Sequence, residues 1–77
     1  MNQMIKRNVV IGHNIRKMRM DGDLTQEELT VKLQLHGCDI SRSTLAKIES
    51  GLRNISVEEI ETVKMIFNAS YEDFFKK

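Results

Sequence analysis

Apolar residues recur along this chain at helical spacing. Val10, Ile11, Ile15 and Met18 share one face of a helix read from Asn8 to Met20, which ends in the turn Asp21-Gly22-Asp23. A second helix runs from Thr25 to about His36 and stops at Gly37. A third runs from Ser41 to Ser50 and stops at Gly51, a residue that enters the left-handed region at little steric cost. The fourth starts at Ser56 and continues through Val63 and Phe67. A last short helix starts at Ser70 and presents Tyr71, Phe74 and Phe75.

Each of the last four starts carries a local signal. Thr25 can cap exposed N–H groups, Glu28 sits three residues on to reach back, and Leu24 and Leu29 occupy the stapling positions. Ser41 caps the third helix, with Ile40 stapled to Leu45. Ser56 and Glu59 repeat the capping box, with Ile55 stapled to Ile60, and Ser70 has Asp73 in its first turn. The absence of proline and the small number of aromatics fit helices better than short strands. These features predict an all-α, compact five-helix domain over 8–77, preceded by a tail over 1–7. Within it, two capped helices joined by a turn containing Gly37 form the pattern of a helix-turn-helix.

Seventy-seven residues make one domain with a modest core, so compact helices or stabilisation by pairing are expected. Cys38 stands alone and cannot form an internal disulfide, and no stretch is long or apolar enough to span a membrane or act as a secretory signal. A reducing, cytoplasmic setting is the expectation. The net charge of +1 says little about partners; its distribution says more. Lys6, Arg7, Arg16, Lys17 and Arg19 fall in the first twenty residues without an acid. The next twenty hold Asp21, Asp23, Glu27, Glu28 and Asp39 against Lys32. Binding a polyanion needs a basic face rather than a basic total, and ordinary solvated helix faces explain such charges equally well.

The third helix decides between these. Leu45 and Ile48 define its inward stripe, and the opposite face carries Ser43, Ala46, Lys47 and Ser50, with Arg42 at the edge. Arg42 can make two bonds to a guanine edge. Ser43 and Thr44 can bond to bases or phosphate, the Thr44 methyl can touch a thymine methyl, and Lys47 reaches base or phosphate. An ordinary surface helix is richer in Glu, whereas this outward face holds no acid; Glu49 falls beside the apolar stripe.

The runs Ile11-Gly12-His13-Asn14-Ile15-Arg16-Lys17-Met18-Arg19, Leu24-Thr25-Gln26-Glu27-Glu28-Leu29 and Ser41-Arg42-Ser43-Thr44-Leu45-Ala46-Lys47-Ile48-Glu49-Ser50-Gly51 resemble, in this order, the lambda-repressor-like (Cro and XRE) DNA-binding domain. The resemblance covers roughly residues 9–75. It implies five helices, the second and third forming the helix-turn-helix. It also implies that Gln26 matches a phosphate-contacting Gln, and that Arg42, Ser43, Thr44 and Lys47 match groove-facing positions. Arg53 and Asn54 match positions that touch the phosphate backbone, and Arg19 and Glu49 match an internal ion pair between the first and third helices. Two departures stand out. Family members commonly place Gly-x-Ser directly after the Leu matching Leu33, whereas this chain inserts an excess of five residues before Ser41. This predicts a second helix about one turn longer and a looser turn. Ile55 replaces a common proline, which loses loop rigidity but keeps a staple.

Other chemistry finds no support in the sequence. His13, His36 and Cys38 are too few for a zinc site, and Ser43 with either His makes no nucleophile. Glu27 and Glu28 fit the first turn of a helix for dipole reasons alone. No enzyme activity, metal or cofactor is expected. The expected function is sequence-specific binding of double-stranded DNA by a small transcriptional regulator, acting as a homodimer; Tyr71, Phe74 and Phe75 either form the dimer surface or, equally well, pack onto the fourth helix. The alternative is a protein-interaction module, or an antitoxin-like regulator of the same fold, acting mainly through a regulatory protein partner.

Overall fold

The computed structural model describes residues 7–77, so the expected tail over 1–7 lies outside the described residues except for Arg7, which opens the first helix. Four α-helices follow in order: α1 (Arg7–Asp21), α2 (Gln26–Leu35), α3 (Arg42–Glu49) and α4 (Val57–Phe67). No strand occurs among the described residues. The core joins Ile11 and Ile15 of α1, Leu29 and Leu33 of α2, Leu45 and Ile48 of α3, Val63 of α4, and Phe74. Spacings of three and four residues put each pair on one helix face. Burying each such side chain fully contributes roughly 1.5–3 kcal/mol. The residues at the stapling positions, Leu24, Ile40, Ile55 and Ile60, lie half-buried against this core.

Local chemistry sets the helix boundaries. The Glu28 amide donates to Thr25 Oγ1 at 3.0 Å while Glu28 Oε1 accepts from the Thr25 amide at 2.8 Å. Ser56 and Glu59 make the same reciprocal pair. Ser41 Oγ accepts from the Thr44 amide; the third residue after this cap is a threonine, so no carboxylate reaches back. At the other end of α2, Gly37 adopts φ 86°, its amide donates to Gln34 O, and the Cys38 amide donates to Leu33 O. That double closure satisfies the last carbonyls and stops the helix. Consequently α2 runs two residues past Leu33 rather than a full turn, and the rest of the five-residue excess lies in the link from His36 to Ser41. Leu35 is 80% exposed, so further helix would bury little. After α1 the left-handed residue is Asp23, at φ 59°, rather than the neighbouring Gly22.

The expected fifth helix is instead a single 3₁₀ turn, Tyr71–Phe74. Its bonds span three residues, Asp73 amide to Ser70 O and Phe75 amide to Glu72 O. The Asn14 side-chain amide then donates to the carbonyls of Phe74 (2.9 Å) and Lys76 (2.8 Å), holding this segment against α1. The terminal aromatics divide between the two expected roles. Phe74 is fully buried and unavailable as a dimer surface, whereas Tyr71 and Phe75 stay about half exposed. Tyr71 is itself engaged by α4: its hydroxyl donates to the Glu61 carboxylate, and Lys64 Nζ lies 5.0 Å from its ring centre.

Gly12 permits a close approach of α1 to α3. A Cβ at this position would sit 2.1 Å from Ile48 O and 2.9 Å from Glu49 O, so α1 crosses α3 with backbone nearly touching backbone. Gly12→Ala gains about 1 kcal/mol of helix propensity but forces the helices apart, a distortion that costs typically 1–3 kcal/mol and here meets an immovable carbonyl. The melting temperature should fall. Gly37→Ala isolates the other glycine requirement: its Cβ would meet nothing within 4 Å, so only the left-handed backbone opposes it, at about 1–2 kcal/mol. Thermal unfolding of both variants checks the pair, and an unchanged or higher melting temperature for Gly12→Ala would contradict the close crossing.

Candidate nucleic-acid interface

α3 stands at the surface with its inward side buried through Leu45, Ile48 and Glu49. Arg42, Ser43, Lys47 and Ser50 are exposed, and Thr44 and Ala46 are half-buried. Neither Arg42 nor Lys47 forms an ion pair with a described residue. The hydroxyls at the N-terminal end are already occupied. Ser41 Oγ donates to Thr44 Oγ1 at 3.0 Å and lies 3.1 Å from Ser43 Oγ. These serve the cap, and hydroxyl rotation is all that another acceptor or donor would require.

Beneath this face lies a buried polar network. Arg19 Nε donates to Glu49 Oε2 at 2.7 Å and Nη2 donates to Glu49 Oε1 at 3.0 Å, a two-pronged pair with side chains 11% and 2% exposed. Arg19 Nη1 donates to Leu24 O at 2.8 Å, so one guanidinium ties α1 to α3 and to the turn before α2. Gln26 Nε2 completes the set by donating to Glu49 Oε1 at 3.0 Å. The predicted phosphate-contacting glutamine is thus anchored to α3, with a second N–H on the same nitrogen left over.

Arg53 occupies a similar position on the other side. Its Nη1 and Nη2 donate to the two Glu59 oxygens at 3.0 Å each, and Nη1 also donates to Asn54 O at 2.8 Å. Two of its N–H groups remain free for another acceptor. Asn54 is exposed beside it. The Arg53 guanidinium, followed by the Ser56 amide, holds the Glu59 carboxyl below its ordinary value against the opposing effect of burial. Glu59 therefore does two jobs, closing the capping box and fixing Arg53.

Sequence reasoning missed three contributors. Asn14 and Asn8, whose amide donates to Gly51 O, act through long-range backbone contacts that leave no local pattern. The Glu59–Arg53 pair spans six residues across a turn, and only an acid in a first turn hinted at it.

Removing either partner of the Arg19–Glu49 pair leaves a buried charge uncompensated, which typically costs about 3–5 kcal/mol. Glu49→Ala should therefore unfold or severely destabilise the domain; an unchanged melting temperature would contradict the network. Glu59 gives a pH-dependent counterpart. A carboxyl with a depressed folded-state pKa contributes stability that is complete above the unfolded value, near 4.5, and is lost as pH falls through the lower folded value. The melting-temperature difference between wild type and Glu59→Gln should be constant at neutral pH and shrink on acidification below about pH 4.5. A difference independent of pH would contradict the assignment.

The helix-turn-helix family model matches residues 15–74. The chain is 39% identical over 64 residues to the antitoxin PezA of Streptococcus pneumoniae serotype 4 (strain ATCC BAA-334 / TIGR4), a match covering 83% of this chain and 37% of PezA. The chain thus spans little more than a third of that relative's length. It is 27% identical over 66 residues to the control protein C.BamHI of Bacillus amyloliquefaciens, covering 84% of this chain and 75% of that protein. No solved structure matches. With α2 and α3 at the centre of the matched region, this chain belongs to the Cro/C1-type helix-turn-helix family of DNA-binding transcription regulators.

Proposed function

We propose that this chain binds double-stranded DNA in a sequence-specific manner, with α3 in the major groove. The observation that carries the proposal is the outward face of α3, where Arg42 and Lys47 are exposed, unpaired with any described acid, and separated by small side chains. Small residues let the helix backbone approach base edges, and a planar guanidinium matches a guanine edge. Ser43 and Thr44 lie at the entering end of the helix. Gln26, Arg53 and Asn54 flank it and serve as backbone contacts, which set register without reading sequence. A single helix offers few base contacts, so the working unit is a two-fold dimer on half-sites about 34 Å apart. The domain corresponds to residues 8–77, works in the cytoplasm, and needs no catalytic residue or cofactor.

The similarity to an antitoxin supports a second reading, a regulator of the same fold that acts mainly through a protein partner. The acid-free face of α3 favours direct DNA binding as the main activity. Gel filtration together with duplex binding at low and moderate salt separates the two readings, because only the first requires retention on DNA by the chain alone.

Selection of bound sequences from a random duplex pool should yield a defined site. Arg42→Ala and Lys47→Ala should weaken binding to it without changing the circular dichroism spectrum. Arg42→Ala should also lose roughly 1–3 kcal/mol of discrimination at one base pair. Gln26→Ala should weaken all sequences about equally. Wild-type affinity in both α3 variants, with the fold intact, would overturn the groove assignment.

A further inference from the structure

On the side of α1 turned away from α3, the surface opens into a recess of about 370 Å³, within the size range of small-molecule sites. Its walls come from α1, through His13, Asn14 and Lys17, and from the end of the terminal segment, through Lys76 and Lys77. Gly12 marks the edge of α1 that meets α3, and Lys17 lies about 140° round the helix from it. A duplex seated on α3 therefore leaves this recess open.

Asn14, Lys17 and Asp21 stand in one row along α1, at spacings of three and four residues. Asn14 is 6% exposed, and the N–H groups of its amide are spent on the carbonyls of Phe74 and Lys76. No described group donates to its carbonyl oxygen. Every fully buried side-chain oxygen among the described residues has a partner, so this one is not sealed in and reaches the recess that Asn14 lines. The charges around the recess do not cancel. Lys17, Lys76 and Lys77 face two acids, Asp21 and Asp73. Asp73 is spent, because its oxygens accept from the Lys76 ammonium at 3.0 Å and from the Ser70 amide at 2.9 Å. Lys17 and Lys77 form no ion pair with a described residue, and they stand on different walls.

We infer that this recess is a binding site for a small hydroxylated phosphate ester. Lysines on two walls call for an anion that can be reached from both, and a terminal phosphate offers three strong acceptor oxygens. The Asn14 carbonyl and the Asp21 carboxylate can only accept, so the ligand must also bring hydroxyl donors. His13 adds an imidazole to the α1 wall. The bound ester joins α1 to the terminal segment, where the two Asn14 hydrogen bonds already hold it. The site does not depend on the reading of α3 as the groove-entering helix.

The test is a titration of the full chain with ribose 5-phosphate, inorganic phosphate and ribose at constant ionic strength, followed by amide NMR. Ribose 5-phosphate should give saturable shifts of the Asn14 side-chain amide and of the Lys17 and Lys77 backbone amides. Ribose and inorganic phosphate should each bind about tenfold more weakly or worse, since each keeps only part of the recognition. Lys17→Ala should weaken ribose 5-phosphate about tenfold, the loss of one charge-assisted hydrogen bond, whereas Lys32→Ala on α2 should leave it unchanged. The absence of saturable shifts, equal binding of inorganic phosphate, or wild-type affinity in Lys17→Ala would each overturn the site. The selected duplex is then added to the loaded protein. Ribose 5-phosphate should stay bound, and its displacement would assign the recess to the DNA interface and overturn a separate ligand site. A chain that binds the ester but no duplex would keep this site and lose the groove assignment.

Discussion

The fold turns on the Arg19 guanidinium. It holds Glu49 of α3 with two hydrogen bonds and the carbonyl of Leu24 with a third, so it fixes α3 relative to α1 and to the entry of α2. With Glu49 2% exposed, the pair is tolerable only because every polar atom in it is satisfied; no buried side-chain nitrogen or oxygen among the described residues lacks a partner. Whether a hydrophobic replacement would be as stable is secondary, because buried ion pairs often roughly break even in energy. Its consequence here is geometric. α1, α3 and the entry of α2 share one crosslink, and the angle of α3 is set from below, leaving its outer face exposed.

Gly12 complements that constraint. The polar crosslink pulls α1 and α3 together, and the missing Cβ lets them come as close as their backbones allow. Ile11 and Ile15 on one side of the crossing and Leu45 and Ile48 on the other then close the core around it. The five-residue excess before Ser41 is absorbed where the closure at Gly37 ends α2, and the link that follows packs Cys38 and Ile40 against the core while His36 and Asp39 stay exposed. Insertions in such links are tolerated more readily than insertions in packed elements.

Charge is sorted by depth. Glu49 and Glu59 are the buried acids among the described residues, and each is matched by an arginine and by a second donor nearby. Glu28, Glu59 and Asp73 accept from backbone amides at their caps, where the helix dipole favours a negative charge. The basic side chains Arg42, Lys47 and Arg16 remain at the surface around α3. A chain with a net charge of +1 can in this way present a local cationic surface, and that surface is what matters for a polyanionic partner.

Much of this was legible in the sequence because its causes are local. The caps at Thr25, Ser41 and Ser56, the stops at Gly37 and Gly51, and the apolar spacing that selected Ile15, Leu45 and Ile48 each depend on residues within a turn of one another. The acid-free face of α3 follows from the same periodicity. What only the tertiary structure decided depends on residues far apart in the chain. The last element is one 3₁₀ turn where a helix was expected, with Phe74 in the core and the carbonyls of Phe74 and Lys76 held by Asn14, sixty residues away in the chain. Gln26 and Arg53, expected from the resemblance as phosphate contacts, are held by Glu49 and Glu59, which no local pattern announces. The crossing of α1 and α3 at backbone distance, which the missing Cβ of Gly12 permits, joins residues 36 positions apart. Helical periodicity assigns a residue to a face; which neighbour that face meets is set by packing between elements, and no local pattern encodes it.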